Sequence, residues 1–132
     1  MNPTVWLVGA GPGDPELLTL KAARILSQAE IVMVDDLVNP EILEHCPQAC
    51  IIRVGKRGGC RSTPQAFINR LMLRYGRQGK RLVRLKGGDP CIFGRAGEEA
   101  LWLRERGVES EIVNGITAGL AGATQCGIPL TL

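Results

Sequence analysis

The chain has 132 residues, 45% of them hydrophobic and only 4% aromatic, which fits one domain with an aliphatic core. No apolar run approaches the roughly 20 residues of a transmembrane helix, and the amino terminus lacks the charged and apolar regions of a signal peptide, so we expect neither a membrane anchor nor secretion. The net charge of +3 is unevenly distributed: residues 1–44 carry seven acids and two bases, whereas residues 45–88 carry eleven bases and no acid.

Short apolar segments alternate along the chain with longer segments of helical periodicity. The short segments predict five β-strands, at residues 5–10, 31–34, 51–54, 81–85 and 111–113. The longer segments predict helices, at about residues 14–26, 39–44, 62–78 and 95–106, and from residue 117 onward. Strands that alternate with helices indicate an α/β fold, and we predict a three-layer α/β/α domain with a five-stranded parallel sheet over residues 1–132.

Capping signals indicate where two of the helices begin. Asp14, Pro15 and Glu16 combine an N-cap acid with a proline in the first turn, which predicts that the first helix begins there. Ser62 and Gln65 have the spacing of a capping box and predict the start of the third helix. The inward face of that helix is predicted to contain Phe67, Ile68, Leu71 and Met72. Its solvated face is predicted to contain Arg70, Arg74 and Arg77.

The carboxyl ends of the predicted strands are polar or rich in glycine. These ends are residues 9–13, 35–36, 55–57, 87–89 and 114–117. Because parallel strands place their carboxyl ends at one edge of a sheet, we expect these five segments to meet. Ligands bind at that edge in open α/β sheets, so the sequence predicts a single functional site there.

Two glycine motifs belong to this edge. Gly87 and Gly88 follow strand four, where the lack of a Cβ lets a ligand approach the backbone, and Asp89 then offers a carboxylate. The motif at residues 9–13 fails the dinucleotide-binding fingerprint because Asp14 stands where the third glycine belongs. We therefore do not expect NAD binding, and a tight strand-to-helix turn is an equally good interpretation of that motif.

Asp35 and Lys56 follow strands two and three and would face the same cleft. A carboxylate and an ammonium placed in this way are suited to proton transfer. The alternative is a surface ion pair, which contributes less than about 1 kcal/mol. Thr117, where the chain enters its last helix, can likewise be explained as an N-cap residue.

The cysteines give no metal-binding pattern. The nearest approach is Cys46-x-x-x-Cys50 beside His45, a single pair with no second pair to complete a zinc site. We expect no metal, and reduced thiols are typical of a cytoplasmic protein.

The basic segment at residues 53–86 creates a field that attracts polyanions. Either a nucleic acid or a small molecule with many carboxylates would suit it. RNA-binding modules usually interleave aromatic side chains for base stacking, but this segment contains only Phe67 and Tyr75. The sequence therefore favours the small polyanion.

Six segments, taken in order, resemble the tetrapyrrole methylases, and in particular the branch that methylates uroporphyrinogen III. The segments are VWLVGAGPGDPELLTL, VDDLV, VGKRGG, VRLKGGDPCIFGRAGEE, GITA and GIPLT. They span essentially the whole chain, and the long block from Val83 to Glu99 is the most specific of them.

The resemblance implies an S-adenosyl-L-methionine-dependent C-methyltransferase that converts uroporphyrinogen III to precorrin-2, on the way to sirohaem and cobalamin. It implies that Asp35 is the proton acceptor and Lys56 the proton donor. It also implies a set of contacts to S-adenosyl-L-methionine, with S-adenosyl-L-homocysteine as the product. That set is Pro12, Gly87, Gly88, Asp89, Ile92, Thr117 and Ala118.

Members of this family have two α/β domains with a cleft between them and commonly form homodimers. The resemblance covers the first domain and the second is absent from residues 1–132, so we expect this chain alone to have little or no methyltransferase activity. We expect a cytoplasmic homodimer that binds a tetrapyrrole and no nucleic acid. The alternatives are another methylase of the same fold, with a precorrin or RNA substrate, and a non-catalytic domain that binds polyanions or nucleic acid.

Overall fold

A parallel sheet of five strands is the centre of the computed structural model, which describes residues 3–55, 64–87 and 96–116. The strands are β1 Val5–Gly9, β2 Ile31–Val34, β3 Cys50–Arg53, β4 Leu82–Lys86 and β5 Ser110–Val113. Each lies within one residue of its predicted bounds, so the predicted sheet is confirmed. Every residue of β2 and β4 is buried, as expected for central strands covered on both faces.

Helical segments connect these strands. They are a 3₁₀ helix at Pro15–Leu17, α1 Leu20–Ser27, a 3₁₀ helix at Pro40–His45, α2 Gln65–Arg77 and α3 Ala96–Arg104. In the three described ranges, none of the helices has the length and apolar character that a membrane crossing requires.

Asp14 caps a helical segment as predicted, but the predicted first helix is not continuous. Asp14 accepts a hydrogen bond from the Glu16 amide at 2.9 Å, but it caps only the 3₁₀ helix. The backbone is extended at Leu18 and Thr19, and the Thr19 hydroxyl then caps α1 by accepting from the Ala22 amide at 3.1 Å. Two cap residues five positions apart divide the segment into a single turn and a separate helix, because each satisfies the free amides of the turn that follows it.

α2 departs from prediction at its start and on its inner face. It begins at Gln65 with Pro64 at the N-cap position, whereas the predicted start at Ser62 lies outside the described residues. Proline is tolerated there because the first amides of a helix have no partner within the helix. Phe67 is 45% exposed, contrary to prediction, because Ile68 and Met72 occupy the buried stripe and Phe67 lies about 100° to one side of Ile68. The three arginines predicted to be solvated, Arg70, Arg74 and Arg77, are exposed.

The strand order, β3-β2-β4-β1-β5, determines which face each helix covers. The chain crosses the sheet in one direction from β1 to β3 and in the opposite direction from β3 to β5. Because parallel crossovers are right-handed, this reversal puts the connecting helices on opposite faces. Accordingly α1 and the 3₁₀ helix Pro40–His45 pack in one hydrophobic core, and α2 and α3 pack in the other.

The chain therefore diverges at the middle of the sheet. After β1 and after β2, the chain turns to the face covered by α1. After β4, which lies between these two strands, the chain turns to the opposite face. Such a divergence opens a crevice beyond the carboxyl ends of the strands. The residues that follow those ends, 10–13, 35–39, 54–55, 87 and 114–116, are called the carboxyl edge below.

Candidate functional site

The loop after β1 forms one wall of the carboxyl edge. The Ala10 amide donates to the Lys86 carbonyl at 2.7 Å, so the loop begins tied to β4. Gly11 has φ +83, and a Cβ there would lie 3.2 Å from the Leu17 carbonyl oxygen, so this turn requires glycine. Pro12 follows and is half-buried. The sequence thus places Pro12 on a tight, backbone-lined turn beside the end of β4.

The loop after β2 forms the opposite wall, and Asp35 is its first residue. The Asp35 amide donates to the Leu85 carbonyl at 3.3 Å, which extends the pairing of β2 with β4 by one residue. Asp35 Oδ1 accepts a hydrogen bond from the Leu37 amide at 2.9 Å, and Oδ2 accepts one from the Gly87 amide at 3.4 Å. Two backbone amides therefore hold this half-buried carboxylate at the end of the sheet.

Gly87 lies between these walls, at the end of β4. A Cβ at this position would lie 2.8 Å from Leu37 Cβ and 3.3 Å from the Leu37 carbonyl oxygen. The loop after β2 therefore approaches the backbone of β4 closely enough that only glycine fits. Leu37 itself is 80% exposed, so the edge presents bare backbone beside an uncovered apolar side chain.

A side-chain amide joins the two walls. Asn39 Nδ2 donates to the Gly13 carbonyl at 2.8 Å, and Asn39 Oδ1 accepts from the Glu41 amide at 2.9 Å. The second bond caps the 3₁₀ helix Pro40–His45. The sequence predicted this helix start but not the bond to Gly13.

Beneath the carboxyl edge lies a buried cluster of charged side chains that the sequence did not reveal. Arg84, Lys86 and Glu99 are 6%, 7% and 2% exposed. Lys86 Nζ lies 2.6 Å from Glu99 Oε1, although not in the direction a hydrogen bond requires, and Arg84 Nε lies 3.7 Å from Glu99 Oε2. Gln65 Nε2 donates to Glu99 Oε2 at 2.8 Å. One carboxylate on α3 therefore links β4 to both helices of that face.

Two of the basic residues assigned to a polyanion-attracting surface are thus internal, which corrects the interpretation of residues 53–86. Arg84 and Lys86 alternate with apolar residues along β4, and a central strand buries both of its faces. Basic residues in a central strand need a buried acid as partner. In the sequence, Glu99 in the first turn of α3 was the residue that could have indicated such a pairing. The exposed Arg53 ends β3, next to the carboxyl edge.

The Arg84 guanidinium is incompletely paired. Burial lowers the pKa of Arg84, while attraction to Glu99 and then to Asp35 acts in the opposite direction. Its Nε and Nη1 atoms have no hydrogen-bond partner in the part of the chain that the structure describes. Asp35 therefore lies within the electrostatic reach of the buried cluster.

A polar contact away from the carboxyl edge joins β1, α1 and β5. Glu111 Oε1 accepts from Lys21 Nζ at 2.9 Å, and Glu111 Oε2 accepts from Trp6 Nε1 at 3.0 Å. The hydrogen bond from Lys21 is the main reason that the pKa of Glu111 lies below its usual value. The Glu111 side chain is 39% exposed, so solvent weakens this contribution to stability.

The cysteines near His45 differ in their surroundings. Cys46 is buried, which raises the pKa of its thiol, whereas Cys50 is exposed, and neither forms a disulfide. In residues 3–55, 64–87 and 96–116 there is no group of three histidine, cysteine or acidic side chains that could hold a metal ion.

The structure brings together those predicted site residues that it describes. Pro12, Asp35 and Gly87 all lie at the carboxyl edge, around the end of β4. The remaining predicted site residues lie outside the described residues. They are Lys56, Gly88, Asp89, Ile92, Thr117 and Ala118.

Comparisons with known proteins agree with this architecture. The profile of the family described as Tetrapyrrole (Corrin/Porphyrin) Methylases matches residues 4–132. A uroporphyrinogen-III C-methyltransferase from Pseudomonas aeruginosa is 79% identical over 131 residues, which are 99% of this chain and 54% of that protein. The chain thus spans about half the length of the curated relatives it matches.

Solved structures show the same likeness. The crystal structure of a uroporphyrin-III-C-methyltransferase from Thermus thermophilus superimposes with a TM-score of 0.86 at 44% identity, over 100% of this chain and 56% of that one. A Thermus thermophilus structure of the enzyme complexed with S-adenyl homocysteine has a TM-score of 0.78 and 49% identity, over 97% of this chain and 50% of that one.

Proposed function

Because the chain belongs to the tetrapyrrole methylase family, we propose that it is the amino-terminal α/β domain of an S-adenosyl-L-methionine-dependent C-methyltransferase that converts uroporphyrinogen III to precorrin-2. The observation that supports this most strongly is the meeting of Pro12, Asp35 and Gly87 at the divergence point of the sheet. The names of the similar proteins from Pseudomonas aeruginosa and Thermus thermophilus support the choice of substrate.

The carboxyl edge has the shape that a bulky cofactor requires. Positions 11 and 87 leave no room for a Cβ, so ligand atoms would meet backbone rather than side chains there. We propose that Pro12 and Gly87 contact S-adenosyl-L-methionine, together with Gly88, Asp89, Ile92, Thr117 and Ala118. The cofactor supplies a methyl group activated by its sulfonium. The chain's own contribution is to hold the two reactants in line, which can be worth roughly 7–11 kcal/mol of the barrier.

Asp35 has the properties of a proton acceptor. A carboxylate offers about four acceptor positions, and the amides of Leu37 and Gly87 use two of them. The carboxylate is therefore fixed in direction while it can still accept a proton. When a pyrrole carbon gains a methyl group, its ring must lose a proton to regain neutrality, and we propose that Asp35 takes it. Lys56 is proposed as the proton donor.

The substrate carries eight carboxylates, so cationic side chains must meet it. Of the described basic residues, Arg53 is exposed at the end of β3, next to the carboxyl edge. Arg84 and Lys86 are buried beneath that edge, and Arg77 Nη2 lies 3.4 Å from the Arg106 carbonyl, away from it. We therefore propose that much of the substrate's charge is met by residues outside the described ranges. A cytoplasmic homodimer is proposed from the family resemblance.

The proposal can be tested in a chimera, because the chain matches about half of the Pseudomonas aeruginosa relative. The chain replaces the corresponding half of the Pseudomonas aeruginosa relative, and transfer of labelled methyl from S-adenosyl-L-methionine to uroporphyrinogen III is measured. We expect turnover comparable to that of the intact relative. In the same chimera, Asp35→Asn should lower kcat by about 10²–10⁴, the usual contribution of a general base.

The controls separate the parts of the proposal. The intact relative shows that the assay works, and calorimetry with S-adenosyl-L-homocysteine shows whether the chimera binds cofactor. A folded chimera that binds no S-adenosyl-L-homocysteine would refute the proposed cofactor. A chimera that binds it but methylates a different tetrapyrrole would refute the proposed substrate.

A further inference from the structure

A single side chain spans the two walls of the carboxyl edge. β1 and β2 are not neighbours in the sheet, because β4 lies between them. Adjacent strands lie about 4.8 Å apart, so the loops after β1 and β2 begin about 10 Å from each other. The bond from Asn39 Nδ2 to the Gly13 carbonyl, at 2.8 Å, closes that gap. We propose that Asn39 is a positioning residue that fixes the distance between the cofactor-contacting loop and the proton acceptor.

The orientation of the Asn39 amide is determined by its partners. The Glu41 amide can only donate and the Gly13 carbonyl can only accept, so Oδ1 faces the first and Nδ2 faces the second. Capping alone does not need asparagine, since aspartate caps a helix equally well. Only the bond to Gly13 requires a donor at this position. The two roles of the side chain can therefore be separated by substitution.

Among the described contacts, the bond from Asn39 is the one made to Gly13 itself. Gly13 has φ +111, in the region that favours glycine, and no atom of the described residues lies within 4 Å of the position its Cβ would occupy. Pro12 precedes it directly, and Asp35 begins the loop that carries Asn39. Losing the bond would let the Pro12 turn move relative to the Asp35 carboxylate.

This inference rests on the proposed function, because it gives Asn39 a role in the geometry of methyl transfer. Its consequence is a coupled effect on the cofactor and on the chemical step. The affinity for S-adenosyl-L-homocysteine reports on the Pro12 turn, whereas kcat reports on the alignment of that turn with Asp35. If Asn39 served folding alone, its substitution would change the melting temperature and leave both the affinity for S-adenosyl-L-homocysteine and kcat unchanged.

The test uses Asn39→Asp in the chimera with the Pseudomonas aeruginosa half. Aspartate keeps the acceptor for the Glu41 amide, removes the donor to Gly13 and places two oxygens against each other. We expect S-adenosyl-L-homocysteine to bind about fivefold more weakly or worse, as for the loss of one hydrogen bond, with a similar or larger fall in kcat. Amide hydrogen exchange across residues 10–14 should become faster, and the melting temperature should change little.

Two further variants complete the test. Gln78→Glu makes the same amide-to-carboxylate change on an exposed side chain at the end of α2, so it controls for the added charge. Asn39→Ala removes the bond to Gly13 without adding charge and should reproduce the loss of affinity. The inference is overturned if both Asn39 variants bind S-adenosyl-L-homocysteine and turn over like the parent, or if exchange across residues 10–14 is unchanged. A parent chimera that binds no S-adenosyl-L-homocysteine would overturn the proposed function, and this inference with it.

Discussion

The buried cluster under the carboxyl edge predicts a large stability loss in Glu99→Gln. The substitution removes a carboxylate that is 2% exposed and lies 2.6 Å from Lys86 Nζ and 3.7 Å from Arg84 Nε, leaving both cations in the interior without their acid. Breaking a buried ion pair by removing one partner costs about 3–5 kcal/mol. With a urea m-value of about 2 kcal/mol/M, the unfolding midpoint should fall by about 1.5–2.5 M. Circular dichroism at increasing urea concentrations measures it.

The neighbouring residue provides a matched control. Glu98 is exposed in the same turn of α3, so Glu98→Gln should change the free energy of unfolding by no more than about 0.5 kcal/mol. Because the Glu99 pairs are buried, 0.5 M salt should barely alter the difference between the two variants. Adding Arg84→Met and Lys86→Met to Glu99→Gln should restore much of the stability, because the uncompensated charges disappear. A Glu99→Gln variant within about 1 kcal/mol of Glu98→Gln would refute the reasoning.

Three further outcomes follow from the described contacts. Gly87→Ala should destabilise the chain by about 1–3 kcal/mol and weaken S-adenosyl-L-homocysteine binding in calorimetry, because its Cβ would lie 2.8 Å from Leu37 Cβ. Iodoacetamide should label Cys50 but not Cys46 in the native chain, since burial raises the pKa of the Cys46 thiol, and peptide mass spectrometry distinguishes the two. Glu111→Gln should lower the urea midpoint slightly at neutral pH and not at all at low pH. Its folded-state pKa lies below the unfolded one, so its contribution is present above the unfolded pKa of about 4.3 and is lost as pH falls through the folded pKa.

Each of these has its own contrary result. Gly97→Ala, where no atom within the described ranges lies within 4 Å of the new Cβ, should be neutral or stabilising, so equal effects at positions 87 and 97 would contradict the packing argument. Rapid labelling of Cys46 before unfolding would show that its burial is not maintained in solution. An unchanged gap between the parent and Glu111→Gln from pH 7 to pH 3 would show that the carboxylate contributes nothing through its ionisation.

The sheet and the meeting of its carboxyl ends were predictable because both follow from local patterns. Apolar runs such as Ile31–Val34 are continuous where a strand is buried on both faces, and glycine or acid follows where the strand ends. Parallel pairing then brings those ends together regardless of how far apart they lie in the chain. The sequence therefore predicts that Pro12, Asp35 and Gly87 lie at one edge of the sheet, as they do in the structure.

The predictions that were wrong or missing concern side chains whose positions depend on contacts between residues far apart in the chain. Phe67 has an apolar side chain on an amphipathic helix, but the packing of Ile68 against the sheet sets the rotation of that helix. Arg84 looks like part of a basic surface until the strand order places β4 at the centre of the sheet. The bond from Asn39 to Gly13 joins loops whose strands do not touch, and no spacing along the chain signals it.

The most direct test of the central claim is a crystal structure of the chimera with S-adenosyl-L-homocysteine bound. The account expects the ligand beyond the carboxyl ends of β1 and β4, in contact with Pro12 and with the backbone at Gly87, and on the same side of the sheet edge as the Asp35 carboxylate. Ligand bound instead at the opposite edge of the sheet, in the cavity of about 360 Å³ lined by Thr4, Gly76 and Arg106, would contradict it.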